Sequence, residues 1–392
     1  MSRLLAKQQI RDLLLGLALF CATLMLMLFP QGSMEAARDG LALCYNVIIP
    51  SLFPFFVLSS LVVELGLASY LGRALEGVMR PLFNVSGACA SAFALGFIGG
   101  YPVGAKTAIS LYQNGMCTKT EAERLLAFCN NSGPAFILGV VGAGVFGSGK
   151  IGLLLYLTHA AASLCVGLLF RFYKAGSRRE SSKGLPPQFC APRFSSAFTG
   201  SVTGAFASIL NICAFVVFFT VVIRMLFASG LLPALARGLG TLLAPLGFTE
   251  VWAERLMTGI LELSSGVWAL SAGGSLTGRL SMAAFMLGWA GISVHCQVLS
   301  FLGGSGLSVG TYLTGKLLHG GLSAVFTALL VRGLHLGAPA GAYLVQQVEG
   351  LAALDFHTAL RFSVVAAWTC WLLFFLIAAL SHGTRRRNKR LQ

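Results

Sequence analysis

Three stretches of this chain, and a fourth less compact set, combine ligand-binding residue types with backbone breakers. Gly99-Gly100-Tyr101-Pro102-Val103-Gly104-Ala105-Lys106 joins glycines, which let a ligand approach the main chain, to a helix-breaking proline and a lysine. N–H groups freed beside a helix N-terminus favour an anion, and Lys106 would add a full positive charge. Lys106 could equally snorkel to the membrane surface or pair with Glu64. Phe128-Cys129-Asn130-Asn131-Ser132-Gly133-Pro134 places two carboxamides and a hydroxyl in an apolar run. Adjacent Asn130 and Asn131 point to different faces, and Pro134 frees a carbonyl one turn earlier, so the stretch reads either as a substrate or ion site or as a structural kink.

Glu262-Leu263-Ser264-Ser265-Gly266 puts a carboxylate among membrane-like residues. It reads as a site for a coupling cation, H+ or Na+, or as a cap that accepts backbone N–H groups. Ser293, His295 and Gln297 alternate along the next run and share a face only if the helix unwinds there, which Gly288 and Gly291 permit. His295 is a candidate for the ion-coupling role or a histidine bonded between helices. The candidate substrate-binding residues are therefore Gly100, Tyr101, Pro102, Gly104, Lys106, Asn130, Asn131, Ser132, Ser264, Ser265, Ser293 and Gln297. Glu262 and His295 are the candidates for ion coupling. The other histidines, His159, His319, His335, His357 and His382, are scattered and carry little signal.

The elements that must position these residues are helices in a bilayer. Of 392 residues 56% are hydrophobic and only 10% charged, with a mean hydropathy of +0.80, which argues against a soluble protein. Apolar runs long enough to cross fall near 13–29, 41–66, 126–146, 151–171, 208–230, 281–303, 317–335 and 363–381. The first, after Arg3, Lys7 and Arg11, is expected to be a retained anchor, because no small-x-small cleavage site follows it. Two further regions, near 87–112 and 256–280, are too interrupted by Gly, Pro, Ser and charge to span, and read as re-entrant helical hairpins.

Threading the chain with its N-terminus inside puts the breaks near 1–12, 67–86, 113–125, 172–196, 304–316 and 382–392 in the cytoplasm, with Arg124, Lys174 and Lys316 among the basic residues there. The net charge of +15 then reports orientation, with both termini cytoplasmic, and implies no nucleic acid. Ten scattered cysteines with no Cys-x-x-Cys are expected to be reduced thiols, with no metal and no cofactor. No phosphate-binding loop, Rossmann fingerprint or His-Glu-x-x-His occurs, so no enzyme is read.

The halves match. Pro81 to Gly96 is 15 residues and Pro245 to Gly259 is 14, while Gly96 to Ser132 is 36 and Gly259 to Ser293 is 34. The charge topology makes these two copies inverted in the membrane, as in secondary transporters. The fold class expected is all-α integral membrane, about eight transmembrane helices plus two re-entrant helical hairpins in two inverted repeats. Its parts are an anchor helix and loop (1–40), a first repeat (41–171), a basic linker (172–196), a second repeat (197–335) and a C-terminal helix with a basic tail (336–392).

The motifs at 100–106, 129–134 and 262–266 resemble the nucleoside-recognition, or Gate, domain in two copies, in the order found in a family of sporulation integral membrane proteins. The resemblance spans roughly 41–335. It implies a fold related to concentrative nucleoside transporters, and transport of dipicolinic acid across the outer forespore membrane of spore-forming bacteria. The residues by themselves favour an anion, which the resemblance narrows to a small organic anion as partner beside the lipid bilayer, and leave a homo-oligomer open. The alternatives are an ion-coupled nucleoside carrier and a non-transporting membrane scaffold needed for spore formation.

Overall fold

The computed structural model describes residues 2–65, 67–175, 194–271 and 273–333, with position 368. Most of the expected linker and almost all of the expected C-terminal part, including the run at 363–381, lie outside the described residues. The described chain consists of helices joined by short breaks, with no strand among those residues.

The apolar helix α1 (Ser2–Leu28) is followed by α2 (Pro30–Leu43), a π-turn (Cys44–Ile48) and α3 (Ile49–Glu64). Then come α4 (Leu67–Phe83), α5 (Ala90–Gly99), α6 (Val103–Gln113), α7 (Lys119–Phe128), a π-helical segment (Ala135–Val145) and α8 (Gly149–Phe170). The second half holds α9 (Phe194–Ala228), α10 (Leu231–Leu243), α11 (Glu250–Leu261), α12 (Leu263–Trp268), α13 (Leu276–Trp289), α14 (Gly291–Leu302) and α15 (Val309–Gly333).

Five stretches of described helix are long and apolar enough to cross a membrane: Gln9–Leu28, Gly149–Phe170, Phe194–Ala228, Leu276–Leu302 and Val309–Gly333. The last part of α4 and the Gly87–Gly99 segment form a further apolar pair bent by 93°. Large apolar side chains such as Leu13, Leu17, Phe20, Phe218, Leu242 and Leu329 stand exposed on the helices, as a lipid solvent permits.

Lipid drives helix association weakly, so close packing relies on small residues. A Cβ on Gly288 of α13 would lie 2.5 Å from Gly320 Cα of α15, and one on Gly315 of α15 would lie 2.4 Å from the carbonyl oxygen of Ala127 in α7. Gly142 and Gly152 bring the π-segment equally close to α8. Phe83, Phe93 and Phe128 fill the space between, with Phe83 and Phe128 stacked at 4.8 Å.

Two polar features depart from the expected loop positions. Arg124, assigned by the charge pattern to a cytoplasmic break, is buried in α7, where it donates to the carbonyl oxygens of Asn84 and Tyr173. Its neighbour Glu123, also buried, accepts from Lys174 at 2.9 Å, from the Tyr173 hydroxyl and from the backbone N–H of Ser308. That hydrogen bond to the Glu123 carboxylate holds the exposed Lys174 ammonium above its ordinary pKa. The pair ties the end of α8 and the loop before α15 to α7, a tertiary role that spacing does not signal.

Candidate functional site

In both halves a broken helical pair meets a broken long helix. In the first, α5 and α6 fold back on each other around Gly100, Tyr101 and Pro102. Their arms touch where a Cβ on Gly104 would lie 2.9 Å from Gly96 Cα, and that same Cβ would sit 2.0 Å from the carbonyl oxygen of Cys129. Gly104 is thus a packing glycine against the end of α7. Gly100 has φ +75°, and a Cβ on it would lie 2.8 Å from Gly133 N, so the hairpin turn rests directly on the break of the next helix.

In the second half α11 and α12 pair around Glu262. A Cβ on Gly266 would lie 2.2 Å from Gly259 Cα, and one on Gly291 (φ +84°) would lie 3.0 Å from Leu263 N. The second pair runs from 250 to 268, shifted from the expected 256–280, because Glu262 ends α11 and caps α12.

The breaks from both halves converge on a cavity of about 140 Å³, several times the share of space that one water takes in the liquid. Gly100, Tyr101, Ser132 and Gly133 line it from the first half, and Glu262, Ser264, Ser293 and Gln297 from the second. The remaining wall is largely apolar, with Ile98, Phe136, Ile212 and Val216 contributing.

Among the described residues Ser132 Oγ and Ser293 Oγ are buried without a hydrogen-bond partner, and both residues line the cavity. Buried polar atoms are nearly always satisfied, so two orphan hydroxyls at one cavity mark where a ligand's polar groups would be received. Glu262 accepts from Ser264 N at 2.9 Å and Ser265 N at 2.7 Å, which engages both carboxylate oxygens as a helix cap. Of the two readings open for Glu262 the cap is the observed geometry, and Ser265 serves it through its backbone N–H.

Other candidates stand outside the cavity wall. Lys106 Nζ donates to Ser208 Oγ of α9 at 2.6 Å and lies 5.0 Å from the Phe56 ring centre, away from the wall and without a hydrogen bond to Glu64. Pro102 is the N-cap residue of α6. Asn131 Nδ2 donates to Phe128 O and closes the end of α7. Asn130 Nδ2 donates to the Tyr312 hydroxyl at 3.3 Å, and that hydroxyl lies 3.0 Å from His295 Nδ1.

The expected sharing of one face by Ser293, His295 and Gln297 does not occur. The chain breaks at Ala290 and resumes as a regular helix at Gly291, so Ser293 and Gln297, four apart, face the cavity while His295 turns to Tyr312.

Three buried residues complete the junction and were not among the expected site residues. Lys316, placed by the charge pattern in a cytoplasmic loop, lies inside α15 and is 1% exposed. Its Nζ donates to the backbone oxygen of Asn130 at 2.8 Å and lies 3.4 Å from the Tyr101 hydroxyl. His319, one turn on, sits 3.5 Å from Lys316 through Nδ1, and its Nε2 donates to His159 O. His159 of α8 accepts the backbone N–H of Ser132 at 3.1 Å. A lysine and a histidine three apart were the available signal, hidden because both sit in an otherwise ordinary apolar run. Among the described residues no group of three His, Cys, Asp or Glu side chains could hold a metal ion.

Comparison with known proteins bears on this arrangement. The Gate family model, described as nucleoside recognition, matches residues 46–181. The sporulation integral membrane protein YlbJ of Bacillus subtilis (strain 168) is 31% identical over 326 residues, covering 78% of this chain and 79% of that protein. The chain belongs to the YlbJ family of sporulation integral membrane proteins. The match between this chain and YlbJ extends well beyond the first half, where the Gate model lies. A solved structure of CNTnw in an outward-facing state is also similar, at 14% identity and a TM-score of 0.37, covering 82% of this chain and 84% of that one.

Proposed function

We propose that the chain is a secondary carrier for a small organic anion, dipicolinate, moved across the outer forespore membrane by alternating access. In this reading two inverted halves rock around the cavity, and both termini lie in the cytoplasm. The observation that carries it is the pairing of Ser132 and Ser293, one from each broken helix, as orphan hydroxyls on a single cavity. The polar groups that a small carboxylate would meet are these hydroxyls and the turn at Gly100 and Tyr101, where α6 begins without a side-chain cap. Membership of a sporulation family supports the physiological setting.

One observation favours a second reading, an ion-coupled nucleoside carrier. Among the described residues that line the cavity Glu262 is the one acidic or basic side chain, and the rest of the wall is mainly apolar, a better match to a neutral heterocycle than to a dianion. The Gate match carries the same suggestion.

Thermal stabilisation of the purified chain by dipicolinate and by nucleosides, over a concentration series, decides between them. Saturable stabilisation by dipicolinate that disappears in a Ser132→Ala/Ser293→Ala double variant supports the anion carrier. Stabilisation by nucleosides alone selects the second reading. No stabilisation by either, with sporulation intact in the double variant, selects a non-transporting scaffold.

A further inference from the structure

A lysine side chain stripped of water needs an acceptor for each of its three N–H bonds, and usually a carboxylate. Lys316 Nζ has three acceptors: the backbone oxygen of Asn130 at 2.8 Å, the Tyr101 hydroxyl at 3.4 Å and His319 Nδ1 at 3.5 Å.

Each is free to accept. Asn130 O lies four residues before Pro134, which has no N–H to reach it. The Tyr101 hydroxyl donates its own hydrogen to Leu287 O in α13, which leaves its lone pairs open. His319 Nε2 faces the carbonyl oxygen of His159, which can only accept, so Nε2 carries the ring hydrogen and Nδ1 presents a lone pair. Among the described residues no carboxylate lies within ion-pair distance of Nζ.

The ammonium therefore sits where the turn of the first hairpin, the break after α7, and helices α13 and α15 meet. Carbonyl and hydroxyl oxygens converging at a helix break form the kind of site that takes Na+ or K+ inside membrane proteins. We infer that Lys316 is a tethered cation filling such a site at the Tyr101–Asn130 junction, so that this junction assembles with no free monovalent cation. The consequence for transport rests on the carrier reading: Na+ has no place at this junction, and ligand binding is the same in Na+ and in choline.

The test does not need a ligand. Melting of the purified full chain is followed in NaCl, KCl, choline chloride and ethylammonium chloride at equal ionic strength, for the native chain, Lys316→Ala and Lys316→Gln. The native chain is expected to melt at one temperature in Na+, K+ and choline. Lys316→Ala is expected to melt about 5 °C or more lower in choline, as removal of a buried hub would produce in a chain of this size. Ethylammonium should restore part of that drop by refilling the space, and should restore less in Lys316→Gln, whose longer side chain occupies it.

A native melting temperature that rises saturably with Na+ over choline overturns the inference. So does a Lys316→Ala chain that ethylammonium stabilises no more than choline does. If Lys316→Ala yields no folded protein, the native salt series and the Gln variant carry the decision. A native chain stabilised by neither dipicolinate nor nucleosides would sink the carrier reading and leave this result standing.

Discussion

The two hairpin turns do the same geometric job by opposite means. At the first, Gly100 with positive φ lets the turn lie on Gly133, α6 starts with no side-chain cap, and a cation, Lys316, reaches in from α15 behind it. At the second, a side chain of the turn itself, Glu262, supplies the anion and closes the start of α12. Helix N-termini carry partial positive charge, so Glu262 is a built-in counter-charge. At the first turn no side chain caps α6, the Val103 N–H is taken by the carbonyl oxygen of Gly100, and Gly100 and Tyr101 line the cavity. The contrast teaches that a pair of broken helices can start its second arm with a side-chain cap from its own turn or without one, while both turns border the same cavity.

The comparison breaks most sharply at the packing glycines. Gly104→Ala sets a Cβ 2.0 Å from a backbone oxygen that no side-chain rotation can move. It should cost ~3 kcal/mol or more, with sharply reduced yield of folded protein in denaturant unfolding. Gly266→Ala in the second hairpin should be of similar severity, since its Cβ would fall 2.2 Å from Gly259 Cα. A well-folded variant at either position would mean that the arms of that hairpin are not packed as described.

Glu262→Gln comes next. The amide keeps one acceptor oxygen where the carboxylate offered two, and removes the charge facing the helix start. A decrease of about 1–2 kcal/mol in unfolding free energy is expected. If Glu262 instead serves mainly as a coupling site, stability will hold and ion dependence of transport will change.

Ser132→Ala and Ser293→Ala sharpen the comparison from the cavity side. Because neither hydroxyl has a partner, ligand-free stability should move by no more than about 0.5 kcal/mol, or rise slightly. Binding of the ligand should weaken by about 1–3 kcal/mol for each hydroxyl removed, read as a right-shifted stabilisation curve. Equal effects of the two variants would argue that both halves grip the ligand, and an effect confined to Ser132 would place the ligand at the uncapped turn alone. The smallest change is expected for Gly204→Ala on α9, where an added Cβ meets nothing within 4 Å. It should leave melting unchanged or raise it slightly, by at most the ~1 kcal/mol that alanine gains over glycine in a helix interior.

Much of the local architecture was written in residue types. Pro102 after Gly-Gly, Pro134 after Asn-Asn-Ser and the Glu-Leu-Ser-Ser stretch each mark a place where a helix must stop, and the structure breaks at all three. Ser132, Ser264, Ser293 and Gln297 could be named because a polar group in an apolar run has few uses besides packing or binding. Lys106 illustrates the limit: its type and position fit a ligand interaction, yet the arrival of α9 turns it to Ser208.

Residue types and their order were enough to establish a membrane protein of broken helices, with the breaks falling at matched spacings in two halves. Hydrophobic run length and the local rules of proline and glycine are short-range and therefore readable along the chain. Which buried polar side chains meet those breaks was settled by the packing of the helices. Lys316 and His319 come from α15 and His159 from α8; glycine-mediated helix packing brings Lys316 to Asn130 across 186 residues and His159 to Ser132 across 27. Meetings of that kind depend on how whole helices cross, and no local pattern encodes that crossing.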